Sequence, residues 1–160
     1  MRIGKRISKS SGCMIMAVLA MSLAGCNGGT KLPATPSAAP DRRVASATIT
    51  DVDPGTLDAL LLQGVTLIDI RRPEEWRETG VVAGSKTLTL FDAGGGMVPG
   101  FEAGVRRLVP PGQPVALICR TGSRSAAGAR LLAGAGYPRV YNVTGGIRGW
   151  KAAGKPVVAP

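Results

Sequence analysis

Histidine is absent from all 160 residues. That excludes a Cys–His pair or a Ser–His–Asp triad and removes the commonest metal ligand, so neither a metal site nor a cofactor is expected. Aromatic residues are scarce, with two each of Trp, Tyr and Phe. No cluster of them lies among the basic residues, so a stacking platform for nucleic acid is not expected. Acidic residues number ten against twenty basic ones. The longest N-terminal apolar run, Cys13 to Leu23, is too short to span a bilayer as a stable helix. Cysteine occurs only at 13, 26 and 119.

What is present divides the chain into three parts. Residues 1–25 have a positive start (Arg2, Lys5, Arg6, Lys9), an apolar middle and the small residues of Leu23-Ala24-Gly25-Cys26. This is the pattern of an export signal, and its end resembles a bacterial lipobox. The resemblance implies cleavage before Cys26 and acylation of its sulfur. The expected location is the bacterial cell envelope, lipid-anchored and facing the periplasm, with multiple acyl chains holding the membrane firmly. Residues 26–46 are rich in Gly, Pro, Ala, Ser and Thr and read as a disordered tether, able to span at most about 65 Å. Residues 47–160 are enough for one core and one domain, expected to be a monomer. Removal of the signal takes four of the ten net positive charges, leaving six. That moderate, spread-out charge suits small anions or lipid headgroups, not nucleic acid.

The domain alternates strand and helix signals. A short strand is expected near Ala47–Thr50. A helix follows, capped by Asp53, begun by Pro54 and ended by Gly64. Then come a strand at Val65–Ile70, a helix at Glu74–Thr79 opened by Pro73, and a short strand at Thr87–Leu90. Gly94 to Gly100 reads as a flexible loop. A helix at Phe101–Leu108 stops before Pro110 and Pro111. The last elements are a strand at Val115–Ile118, a helix from Ser125, a strand at Arg139–Asn142 and a helix at Gly146–Ala153. Such alternation gives an α/β fold, a small mostly parallel sheet with helices on both faces and ligands beyond the carboxyl ends of its strands.

Val115 to Leu132 organises the rest. Val115, Ala116, Leu117 and Ile118 read as a strand buried on both faces, and Cys119 stands at its end. Arg120, Thr121, Gly122, Ser123 and Arg124 form a tight loop before a helix for which Ser123 or Ser125 is the expected N-cap. A thiol there faces unpaired amides, the positive end of a helix and two arginines. All three favour thiolate, making Cys119 a nucleophile. The same ring of donors suits an anionic substrate. The competing reading is a buried structural cysteine, the usual state of a lone thiol. Asp69 is open to three partners: the Cys119 loop, Arg71 or Arg124. Arg71 either lines the pocket mouth or is solvated. Trp76 and Trp150 read as packing residues.

Cys119-Arg-Thr-Gly-Ser-Arg124 resembles the active-site loop of the rhodanese-like sulfurtransferases. Leu67-Ile-Asp-Ile-Arg71 with Pro73-Glu-Glu-Trp76 is similar to that family's N-terminal signature. Asn142-Val-Thr-Gly-Gly146 with Trp150, Gly154 and Pro156 is similar to its C-terminal one. Gly80-Val-Val-Ala-Gly-Ser85 departs from the family's Gly-His-Ile-Pro-Gly-Ala. The resemblance implies a rhodanese-like fold with Cys119 as catalytic nucleophile. It also implies an anion-binding loop at Arg120, Thr121, Gly122, Ser123 and Arg124, with Asp69 and Arg71 in support. The reaction implied moves sulfane sulfur from an anionic donor such as thiosulfate, through a Cys119 persulfide, to cyanide or a thiol. Two other readings are weighed against it. One is a non-catalytic, membrane-tethered module that carries sulfur or binds a partner. The other is a cysteine phosphatase, whose Cys-x5-Arg loop would be one residue longer than this one.

Overall fold

Val115–Ile118 forms the middle of the molecule because no residue in it is polar and two of the four are β-branched. In the computed structural model, which describes residues 46–160, all four are fully buried. In order, the elements are β1 (Thr48–Val52), α1 (Pro54–Leu62), β2 (Thr66–Asp69), α2 (Pro73–Thr79) and β3 (Lys86–Thr87). They continue with α3 (Phe101–Leu108), β4 (Val115–Ile118), α4 (Ser123–Gly134), β5 (Arg139–Val143) and α5 (Gly146–Ala152). The five strands make one sheet in the order β1-β5-β4-β2-β3, and every pairing is parallel. The expected α/β architecture is the one observed. The expectations placed on the export signal, on Cys26 and on the tether at 26–45 lie outside the described residues.

Side-chain alternation along the strands divides the core. Ile68, Val115, Leu117 and Val140 point to one face and pack with Phe101, Val105, Ala129, Leu132 and Tyr137 from α3, α4 and the turn after α4. Leu67, Ala116, Ile118 and Val143 point to the other and pack with Leu57, Leu60, Ile147 and Trp150 from α1 and α5. Trp150 is thus a packing residue, its Nε1 donating to the Pro156 carbonyl at 2.8 Å. Trp76 is half-buried.

Helix α1 begins as expected: Asp53 is the N-cap, its carboxylate accepting from the Thr56 amide at 2.7 Å, and Pro54 is the first helical residue. Two elements differ from expectation. Strand β3 is only Lys86–Thr87, because Leu88 and Leu90 bond to Asp69 and Ile70 where β2 itself ends and ladder geometry stops. Helix α4 starts at Ser123, and its N-cap is Gly122 in a left-handed conformation. Neither serine caps it, since the chain must turn more sharply there than a serine would allow.

Candidate active site

Parallel β4 delivers Cys119 to the carboxyl edge of the sheet. The loop there is held from behind. The first-turn amides of α5 have no intrahelical partners. Ile147 N–H donates to the Cys119 carbonyl at 2.8 Å and Arg148 N–H to the Arg120 carbonyl at 3.2 Å. Those carbonyls therefore point away from the sulfur, and the loop amides turn toward it. Gly122 N–H donates to Cys119 Sγ at 3.1 Å. This arrangement needs Gly146: a Cβ there would lie 2.4 Å from the Cys119 carbonyl oxygen and 2.6 Å from two further loop backbone atoms.

Cys119 is 1% exposed, yet its thiol is shifted toward ionisation. Burial is the largest single influence and opposes the charge. It is outweighed by hydrogen bonds from the Ser125 hydroxyl and from the amides of Ser125, Thr121 and Gly122. The sequence argument added the charge of two arginines to this effect, and the structure ranks that charge below the hydrogen bonds. Arg120 is exposed, and Arg124 is already committed to an anion. Arg124 donates to both carboxylate oxygens of Glu75, at 2.9 and 2.6 Å. Glu75 is its strongest partner, but a charge interaction and a hydrogen bond with Cys119 also favour its charged form, so Arg124 does reach the sulfur. Thr121 and Ser123 are exposed, Gly122 is buried and Arg124 is partly buried.

Asp69 and Arg71 do not reach the loop. Asp69 takes Arg71 as its partner, with Nε at 2.9 Å and Nη2 at 2.6 Å, and both residues are fully buried. Arg71 is not solvated, but it does line a cavity of about 280 Å³ together with Arg120 of the loop. Its remaining donors bind the carbonyls of Glu75 and Gly80 and the Thr79 hydroxyl, all of them in α2 or at its end. The pair pins α2 against the strand ends, and α2 carries Glu75. Support for the cysteine loop is therefore indirect, passing from Arg71 through Glu75 to Arg124.

Sequence reasoning missed Glu75 as a site residue. Its signal is its place at the third position of a helix begun by Pro73, where its carboxylate also accepts from the Arg72 amide at 3.1 Å. Burial works against its ionised form, but Arg124 and the Arg72 amide bring it down to about 2. A carboxyl below its unfolded value of 4.5 stabilises the fold above that value and loses the contribution as pH falls toward 2. Glu75→Gln is expected to cost about 2 kcal/mol at neutral pH. Urea titrations at stepped pH should show wild type and variant converging between pH 4.5 and 2. A difference that stays constant down to the lowest pH would contradict this.

Ser125 and Asn142 were also missed. Ser125 Oγ lies 3.4 Å from Sγ and 2.6 Å from Asn142 Oδ1. The available signal was a buried polar residue on a strand beside a Gly-Gly turn, which in a strand interior needs a partner.

Arg120 borders two cavities, of about 490 and 280 Å³. The larger is lined by Arg72, Glu75, Phe91, Asp92, Thr121 and Arg124 among others. The Gly94–Gly100 segment, expected to be a flexible loop, opens with a bridged turn. Phe91 pairs with Met97, and the Asp92 carboxylate accepts from Gly96 N–H at 2.8 Å. Asp92, Ala93 and Gly95 form one wall of the larger cavity.

A parallel sheet whose buried central strand ends in an amide-cradled cysteine is the architecture of a rhodanese-like domain. Residues 53–153 match the profile of that family, and the chain belongs to it. A sulfurtransferase from Allochromatium vinosum is 31% identical over 115 residues, covering 70% of this chain and 97% of that protein. A crystal structure from M. tuberculosis superposes with a TM-score of 0.62 at 27% identity, over 72% of this chain and 100% of that one. A Rhodopseudomonas palustris protein of unknown function, suggested to be a tyrosine phosphatase, has a TM-score of 0.53 at 26% identity. It covers 69% of this chain and 85% of its own.

Proposed function

We propose that this protein is a sulfurtransferase that holds sulfane sulfur as a persulfide on Cys119, with thiosulfate or a similar anion as donor. Sulfur transfer in general is supported by the family and by the A. vinosum relative. The observation that carries the finer reading is the cradle itself: Gly122 N–H at 3.1 Å and Ser125 Oγ at 3.4 Å from one sulfur atom shifted toward thiolate. In the first step Sγ attacks the outer sulfur of thiosulfate. An Sγ–S bond forms, the donor S–S bond breaks, and sulfite leaves with the electron pair. In the second step cyanide or a thiolate attacks the outer persulfide sulfur, and Cys119 leaves as thiolate. Both leaving groups are stable anions, so no histidine is needed. The loop amides hold charge on either form of the cysteine without rearranging.

The loop argues against phosphate. Its arginine arrives at the fifth position after the cysteine, one residue early for a Cys-x5-Arg ring, and the smaller ring fits one sulfur atom better than a phosphate. Incubation with thiosulfate should add the mass of one sulfur atom to the peptide bearing Cys119, and cyanide should remove it as thiocyanate. No mass gain would overturn the proposal. A gain that cyanide does not remove would favour the carrier reading.

The anchor belongs to the same proposal. Acylation of Cys26 would hold the domain at a membrane surface, within the reach of the 26–46 tether. Labelled fatty acid should be incorporated into the full chain and lost in Cys26→Ser. Undiminished labelling would refute the anchor.

A further inference from the structure

A line of buried polar contacts runs from the sulfur to the far edge of the sheet. Ser125 Oγ is 3.4 Å from Cys119 Sγ, 3.0 Å from the Gly122 carbonyl oxygen and 2.6 Å from Asn142 Oδ1. Asn142 Nδ2 in turn donates to Asp51 Oδ1 at 2.8 Å. The parallel register sets Asp51 of edge strand β1 directly beside Asn142 of β5. Ser125 and Asn142 are buried, whereas Asp51 is exposed.

The hydrogens in this line are determined by chemistry. A carboxylate only accepts, so the Asn142 amide must turn its NH₂ toward Asp51 and its oxygen toward Ser125. That oxygen can only accept. Ser125 has one hydroxyl proton and faces three acceptors. The Gly122 carbonyl, at 3.0 Å, also accepts the Ala126 amide at 2.9 Å, which weakens its claim on the hydroxyl. The contest lies mainly between Asn142 and the sulfur, and Asn142 at 2.6 Å is the nearest of the three. A neutral Cys119 thiol needs nothing from Ser125 and can donate its own S–H to Oγ. A thiolate needs the hydroxyl proton, and turning it inward leaves the Asn142 oxygen unpaired in a buried site.

We propose that Asn142, held in one orientation by Asp51, is a positioning residue that draws the Ser125 hydroxyl away from the sulfur until Cys119 ionises. Asn142 and Asp51 thereby set the threshold for thiolate formation from outside the loop. The reading needs only that Cys119 ionises, so it stands or falls apart from the identity of the sulfur donor. The charged groups around this line are Asp51 on β1, Arg124 on α4 with its partner Glu75 on α2, Arg120 on the exposed loop, and Arg148 on α5 behind it. None of these cations is among the hydrogen-bond partners of Ser125 or Asn142.

The test is the pH midpoint of Cys119 alkylation by iodoacetamide, read on the Cys119 peptide of the full chain by mass. Asn142→Leu removes the competing acceptor without changing charge, and the midpoint should fall by about one pH unit. Asp51→Asn, an exposed change that spares the core, releases the Asn142 amide to flip. It should shift the midpoint the same way. That shift should persist in about 1 M KCl, where the loss of a surface charge would be screened. Ser125→Ala should raise the midpoint, and adding Asn142→Leu to it should then do nothing more. A slackened loop would raise the midpoint in Asn142→Leu, so a rise or no change there overturns the proposal. So does an Asp51→Asn shift that disappears in salt, or a further fall in the double variant.

Discussion

Replacing Cys119 with serine is expected to lower thiosulfate-to-cyanide sulfur transfer by about 10⁴-fold or more while leaving the melting temperature nearly unchanged. Serine is close in size and keeps a hydrogen-bonding atom where Gly122 N–H and Ser125 Oγ converge, so the loop retains its partners. What is lost is the ionisable atom. A hydroxyl stays protonated under conditions where this cradle favours thiolate, and an alkoxide cannot store sulfur as a stable persulfide. The measurement pairs kcat/KM in the thiocyanate assay with a thermal melt on the same preparation. Transfer retained within about tenfold of wild type would show that the reaction does not pass through this sulfur.

The second large effect is on stability and arises away from the chemistry. Asp69→Ala leaves the Arg71 guanidinium in a site where both residues are essentially unexposed. Orphaning one partner of a buried ion pair costs about 3–5 kcal/mol. Arg71→Leu should cost a similar amount, because the carbonyls of Glu75 and Gly80 lose their shared donor along with Asp69. For the same reason the double replacement should not rescue the single ones, as it would for an isolated pair. Urea unfolding of the three variants reads this directly. A midpoint shift equivalent to less than about 1 kcal/mol in Asp69→Ala would mean that Arg71 escapes to water on losing its partner. Activity should fall too, since α2 carries Glu75 and Glu75 holds Arg124.

Much of the fold was legible residue by residue. Asp53-Pro54 marks a helix start, Pro110-Pro111 a helix end, and the unbroken apolar Val115–Ile118 a strand with no solvent face. The position of Cys119 between that strand and a helix was equally plain. Less legible was the start of α4. A serine-rich loop suggests a side-chain cap, but the left-handed turn at Gly122 took that place so that its amide could face the sulfur.

The site was half legible, and the missing half has a common cause. Cys119 and the loop that surrounds it are neighbours in the chain, and local geometry tells how they meet. Arg124 and Glu75 are separated by 49 positions, and Asn142 and Asp51 by 91. No periodicity or spacing encodes which distant carboxylate an arginine will choose.

The amino-acid order by itself determined the alternation of strands and helices, the Asp53 cap of α1 and the cysteine at a strand end, because each depends on a few adjacent residues. Only the tertiary structure decided that Arg71 faces inward, that Arg124 is held by Glu75, and that hydrogen bonds more than arginine charge ionise the thiol. Those outcomes depend on which strands lie side by side and in what register, which only the packing of the whole sheet determines.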